Sequence, residues 1–227
     1  VTVHPYNAIP LGSFEKMAYP IRTPDYYLPS SNQISELREL IKQYDAGIKV
    51  WQAECGYPSG QNSHGWTGTG PWGENIQAKW LLRRGIADIT HRIPVSGYFT
   101  MWEFKLGSGW KKNYKGLLEF ENRAPKQSFH TYQNLAGLVR GPVEMPGQKS
   151  EASFTIQQEG IFKGVRPENI HATRFQANGA DIFCYWLPWR AQELITPATV
   201  NLVLPKGSIQ DPVVVDLFSG AVFNPQQ

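Results

Sequence analysis

Cysteine is nearly missing from this sequence, with two residues in 227. That excludes a small disulfide-stapled scaffold and a zinc site built from four thiolates. Charge of one sign is missing too: 22 basic against 19 acidic residues leave a formal net of +3. So mild a balance does not point to a nucleic-acid partner. No apolar run approaches the roughly 20 residues of a membrane-spanning helix, so no membrane span is expected. The histidines His91, His130 and His171 lack ligand spacing, and no lysine-serine signature follows the glycine-rich stretch. Neither a metal nor a phosphate-bearing cofactor is therefore expected.

What is present is a chain able to build a core. Its apolar fraction of 41% and aromatic fraction of 13% exclude disorder. Eight tryptophans, ten tyrosines and 21 glycines suit a surface that holds flat, hydroxyl-rich ligands, although a core alone accounts for much of them. The length allows one large or two small domains, at roughly 150 residues each. The sequence opens at Val1 with no charged and apolar leader, which leads us to expect a processed product or part of a longer chain.

Residues 1–140 alternate strand and helix signals. Val1–His4 reads as a strand, stopped at Pro5. A proline-punctuated connection leads to Ser30 and Gln33, a capping pair for a helix carrying Ile34, Leu37, Leu40, Ile41 and Tyr44, with Gly47 at its end. Ile48–Ala53 reads as a strand buried on both faces. Glu54 follows, and then a glycine-rich loop from Cys55 to Gly73. A helix starts at Glu74, whose charge suits the first turn, and carries Ile76, Trp80, Leu81 and Ala87. Val95–Phe104 reads as a third strand, and Pro125 opens a helix with Phe129, Tyr132, Leu135 and Val139 on one stripe.

Gly141-Pro142 and Pro146-Gly147 mark a change of pattern. The runs Ser153–Gln158, His171–Gln176, Asp181–Leu187, Thr199–Leu204 and Val213–Phe218 are short, β-rich and separated by turn residues, as in a small antiparallel β-sandwich. The fold class expected is α/β plus all-β, with a β/α domain over 1–140 and a β-sandwich accessory domain over 141–227. Repeated β/α units imply a parallel sheet, but a closed eightfold barrel takes about 250 residues. Three units are either a small open sheet or the last part of a TIM-type barrel.

Val50-Trp51-Gln52-Ala53-Glu54-Cys55-Gly56-Tyr57 resembles the seventh-strand motif of clan-A glycoside hydrolases, in which a strand delivers a glutamate followed closely by a glycine. Val3-His4-Pro5-Tyr6 is similar to the sixth-strand end of family-39-like and cellulase-like members. Phe99-Thr100-Met101-Trp102-Glu103-Phe104 is similar to their eighth strand, which ends in a tryptophan. Tyr114-Lys115-Gly116-Leu117-Leu118, with Pro125-Lys126 and Tyr132, resembles the segment leading into the last helix. The likeness covers roughly residues 1–140, and beyond that only the architecture. It implies the C-terminal three β/α units of a (β/α)8 barrel, strands six to eight, from a retaining enzyme that cleaves O-glycosidic bonds in oligo- or polysaccharides. It also implies secretion or a periplasmic location.

Under that resemblance Glu54 is the catalytic nucleophile, at the strand end where barrel active sites gather. A loop carboxylate without catalytic part is the alternative. His4 or Tyr6 would orient Glu54 by a hydrogen bond. Trp102 would form the floor of the sugar site, or else be a core residue. Glu103, next in the strand, is expected on the opposite side and is not the nucleophile. Trp66 and Trp72, on the glycine-rich loop with Asn62 and His64, either make a lip over the substrate or anchor the loop. Cys55 lacks the His-Asn context of a thiol nucleophile. The pairs Arg83-Arg84 and Lys111-Lys112 read as solvated faces.

In the family the acid/base glutamate comes from the fourth strand, usually after an asparagine, and no residue here matches that position. These residues alone are thus expected to be inactive without the missing N-terminal barrel half. A non-catalytic carbohydrate-binding protein is the second reading. An open α/β domain fused to a sandwich, with an interaction role, is the third.

Overall fold

A computed structural model describes residues 1–4, 33–60, 73–106, 111–145, 153–158, 170–186, 199–203 and 211–225. Three strands, β1 (Thr2–Val3), β2 (Trp51–Cys55) and β3 (Ser96–Tyr98), form a parallel sheet in that order. Helix α1 (Gln33–Lys42) lies between β1 and β2 in the chain, and α2 (Glu74–Thr90) between β2 and β3. The alternation expected from the sequence is therefore present.

α1 forms its inner stripe with Leu37 and Ile41, which pack with Val50 and Ile93. The stripe is narrower than the periodicity implies: Leu40 and Tyr44 are exposed, Tyr44 at 81%. The helix also stops before Gly47. Its last turn closes through Tyr44 N to Ile41 O, and the Gly47 N–H then bonds the Asp45 carboxylate at 2.7 Å, so an Asp-anchored turn separates the helix from the glycine. Ser30, the expected cap, lies outside the described residues.

Two other strand expectations change. β2 is not buried on both faces, since Gln52 and Cys55 point into the protein while Trp51 is 46% exposed. α2 meets the inner face through Ser96, whose hydroxyl lies within hydrogen-bond distance of Asp88 Oδ2 on α2 and Gln52 Oε1 on β2. The single strand expected over Val95–Phe104 ends at Tyr98. The Phe99 N–H makes the last bond to β2, at Cys55 O (2.6 Å). The chain then changes partner: Thr100 O and Met101 O accept from Leu117 and Leu118. The Phe99–Thr100 peptide is cis. Beyond it β4 (Phe104–Leu106) pairs antiparallel with β5 (Lys111–Asn113).

α3 (Gln127–Leu138) starts two residues after Pro125, with Lys126 as its N-cap; Pro125 itself bridges Leu118. Past Gly141 come β6 (Val143–Glu144), β7 (Ser153–Gln158), β8 (His171–Ala177), β9 (Ala180–Trp186) and β10 (Thr199–Val203). All their pairings are antiparallel, in a sheet β6-β8-β9 and a pair β7-β10. The run Val213–Phe218 is not one strand. It splits into β11 (Val214–Val215), a turn in which Asp216 accepts from Phe218 N and Ser219 Oγ, and β12 (Val222–Phe223).

The larger core joins both parts of the chain. Ile86 of α2, Leu135 of α3 and Phe175, Ala177 and Cys184 of β8 and β9 are buried together, with Trp186 and Leu217 against them. Leu217 O and Phe218 O accept bonds from Asn134 and Gln127 of α3, which docks the β11–β12 turn on that helix. Arg83 and Arg84 are buried, contrary to expectation. Arg84 Nε meets Asp88 Oδ2 one turn on at 3.1 Å, and Arg83 lies over the Trp80 ring. An acid four residues away and an indole take the place of water.

Candidate active site

The end of β2 carries an irregularity that aims Glu54. Gln52 pairs with Ser96 and Cys55 with Tyr98, so β2 spends three residues where β3 spends two. Gln52 and Cys55 both face inward, and Ala53 and Glu54 together fill the outward place between them. Strict alternation would have put Glu54 inside with Gln52. The extra residue is a β-bulge, which re-aims side chains where it occurs.

Glu54 is thereby brought to His4 at the end of the neighbouring strand, with Nδ1 3.6 Å from Oε2. Lys115 is a charged neighbour of Glu54 from a further segment. Burial pulls its ammonium below the ordinary lysine range, and the charge of Glu54 works in the opposite direction. The Lys115 ammonium also lies over the Phe99 ring, 5.9 Å from its centre. The site thus joins a carboxylate, an imidazole and a partly buried cation from three separate segments.

Trp102, on the segment beyond β3, is 51% exposed, and the Arg123 guanidinium lies 5.5 Å from its ring centre. Glu103 is 3% exposed, but Trp102 sits in an isolated bridge to Leu118 rather than in the expected strand, so strand alternation does not account for it. Its two oxygens take Lys126 Nζ at 2.7 Å and Lys112 Nζ at 2.9 Å. Lys112 also reaches Glu121, so this member of the lysine pair is engaged and not a solvated face.

Gln77 of α2 lies fully buried beneath these segments. Its amide nitrogen is within 2.7–3.4 Å of Tyr57 O, the Tyr98 hydroxyl, Tyr114 O, Lys115 O and Gly116 O. Its oxygen accepts from Ser128 of α3 at 2.8 Å. Burial pushes the Tyr98 hydroxyl well above the usual phenol range. Cys55 is buried and free, its thiol pushed up to about 12 chiefly by burial. That makes it a poor nucleophile, since the thiolate is the reactive form.

His4 and Glu54 are described at neighbouring strand ends and Trp102 in an isolated bridge beyond β3, whereas Tyr6, Trp66 and Trp72, with Asn62 and His64, lie outside the described residues. His130 packs edge-on against Phe129. Among the described residues no group of three His, Cys, Asp or Glu side chains could hold a metal ion. No described helix is long and apolar enough to cross a membrane. Lys115, Arg123, Lys126 and Gln77 were not among the expected site residues. A glutamine amid the apolar positions of α2 was the available signal for Gln77, because a buried polar side chain must have partners.

No family model matches the sequence, and no curated protein is similar to it. Solved structures that resemble it include glycoside hydrolases. One is a family 39 glycoside hydrolase from the gut symbiont Bacteroides cellulosilyticus WH2, 18% identical, with a TM-score of 0.49 over 82% of this chain and 33% of that one. A Faecalibacterium prausnitzii beta-glucuronidase is 15% identical, with a TM-score of 0.37 over 60% of this chain and 21% of that one. A Bifidobacterium dentium beta-glucuronidase complexed with coumarin-3-O-glucuronide is 20% identical, with a TM-score of 0.34 over 48% of this chain and 19% of that one. This chain spans a third or less of the length of each. Likenesses of this size assign neither a fold nor a function.

Proposed function

We propose that these residues form the nucleophile side of a retaining glycoside hydrolase site acting on an oligo- or polysaccharide. In this reading β1, β2 and β3 are the sixth to eighth strands of a barrel, residues 1–140 are its C-terminal part, and the strands beyond Gly141 make an accessory sandwich. The observation that carries it is the bulge at Ala53–Glu54, which turns a carboxylate outward at the C-terminal end of a parallel strand, against His4. A residue spent on re-aiming one side chain suits a functional carboxylate better than a structural one.

The chemistry follows from that placement. Glu54 attacks the anomeric carbon and the glycosidic bond breaks, leaving a glycosyl ester on Glu54 that water later hydrolyses. A second carboxyl group, about 5–5.5 Å from the first, gives the leaving oxygen its proton and later takes one from water. No position of this sequence matches the family's donor, so that group belongs to another part of the protein. His4 holds Glu54 in line, and Lys115 supplies positive charge beside the form that attacks. The exposed indole of Trp102 offers a flat apolar floor to the C–H face of a sugar ring.

The test is turnover of a panel of aryl glycosides by the protein made from its complete reading frame. Glu54→Gln keeps the shape and removes the nucleophile, so activity should fall by about a thousandfold or more. Activity within a few-fold of the parent rejects the assignment. Sugar binding with no turnover by the parent would favour a carbohydrate-binding protein instead.

A further inference from the structure

Glu103 and Lys126 are 3% and 2% exposed and meet at 2.7 Å. Neither takes part in the chemistry described above. Glu103 also accepts from Lys112 Nζ at 2.9 Å and from Phe120 N at 3.2 Å, so its carboxylate is held by three donors. Lys126 Nζ reaches past Glu103 to Ser59 Oγ at 2.8 Å and Tyr114 O at 3.3 Å. Ser59 N bonds the same Tyr114 O at 3.1 Å. One ammonium thus ties the residue after Trp102 to the segment after Glu54, to the segment that carries Lys115, and to the start of α3, where it is the N-cap residue.

We propose that the Glu103–Lys126 pair is a positioning device that fixes the Trp102 indole relative to the chain following Glu54. The inference rests on the glycosidase reading for its functional consequence, but the geometry it asserts can be tested without it. A buried ion pair adds little stability over well-packed apolar groups, because desolvating two charges offsets their attraction. What apolar groups do not supply is direction. Glu103 N bonds Leu118 O at 3.0 Å and Lys126 N bonds Leu117 O at 2.9 Å, so both backbones hang on one short segment, and the side-chain pair closes the loop between them. Trp102, bridged to Leu118 and half exposed, has its backbone held by that loop.

The experiment is 19F spectroscopy of the complete protein labelled with 5-fluorotryptophan, with the lines of Trp102 and Trp80 assigned by Trp102→Phe and Trp80→Phe. Trp80, buried on α2, reports the core. In Glu103→Gln and in the double variant Glu103→Met/Lys126→Met, the Trp102 line should shift or broaden while the Trp80 line stays in place. Lys126→Arg should keep the Trp102 line near its parental position. The double variant matters because it leaves neither member of the pair uncompensated, so its fold should survive. A Trp102 line unmoved in the double variant, or all eight tryptophan lines moving together, overturns the proposal.

A kinetic arm separates the two readings. On an aryl glycoside that the parent cleaves, Glu103→Gln should lower kcat/KM about tenfold or more, the scale of a misplaced contact. In a Trp102→Ala background the same change should add less than about twofold, since a residue acting through Trp102 has nothing left to act on. Full additivity overturns the proposal. A parent that cleaves no glycoside sinks the glycosidase reading alone, and the fluorine lines then decide the positioning claim.

Discussion

Gly56 lies directly beneath the carbonyl of Phe99, so close that a Cβ at Gly56 would fall inside the van der Waals envelope of that oxygen. The obstacle is backbone, which cannot swing aside as a side chain would. Gly56→Ala should therefore pry β3 from the end of β2 and lower stability by about 2 kcal/mol or more. Gly137 in α3 is the contrast, with nothing within 4 Å of its Cβ position. Gly137→Ala should raise stability by up to about 1 kcal/mol through helix propensity. Thermal melts of the two variants check both signs, and equal effects would contradict the packing described.

Gln77 has more acceptors than protons to give them. An amide nitrogen carries two hydrogens, and five oxygens lie within 3.4 Å of it. Gln77→Leu keeps the approximate volume and strips those oxygens and the Ser128 hydroxyl of a partner. The cost should be about 2–3 kcal/mol, at the upper end for unsatisfied buried groups. Chemical denaturation measures it. A change below half a kilocalorie, or about the noise of a surface substitution, would show that water or neighbours can replace the amide.

Cys55 and Cys184 are both buried, with thiols pushed up to about 12 by burial from an ordinary value of 9.0. In the folded protein they should resist thiol reagents at pH 8 and react only on unfolding. Stability should respond as well. Below pH 9 both states keep the proton, and nothing is lost. Between about 9 and 12 the unfolded chain releases a proton that the folded one keeps, so stability falls as pH rises, by up to about 1.4 kcal/mol per pH unit for each thiol. The difference between the parent and Cys55→Ala or Cys184→Ala isolates this contribution. A difference that does not vary with pH above 9 would contradict it.

Trp102→Ala should separate function from stability. The indole is half exposed and shares its ring face with Arg123, so little core is lost on truncation. The melting temperature should move little. On a glycoside the parent cleaves, kcat/KM should fall about tenfold, the scale of an aromatic contact. A large loss of stability with kcat/KM unchanged would make Trp102 a structural residue.

The parallel strand–helix order was legible in sequence, because strand and helix periods differ and proline and glycine punctuate them. The sheet's partial burial was not. A run such as Ile48–Ala53 has the same apolar residues whether one or both faces are covered. The bulge at Ala53–Glu54 could not be read either, since an extra residue is defined only against β3. Arg83-Arg84 misled because a charged pair looks solvated until Asp88, four residues on, is counted as a partner. Lys126 gave no signal at all. Its partner Glu103 is 23 residues away, and a lysine after a proline is ordinary on any surface. Val95–Phe104 failed as one strand for a similar reason, as Leu117 and Leu118 compete for its carbonyls from outside the segment.

The central claim is that the Glu54 carboxylate forms a bond to a sugar. The most direct measurement is chemical rescue: Glu54→Gly in the complete protein, incubated with an activated aryl glycoside and azide, with the product's anomeric configuration read by proton NMR. If Glu54 is the nucleophile, azide enters the vacated space, restores turnover and yields a glycosyl azide of inverted configuration. Parent-like hydrolysis without azide would contradict the account.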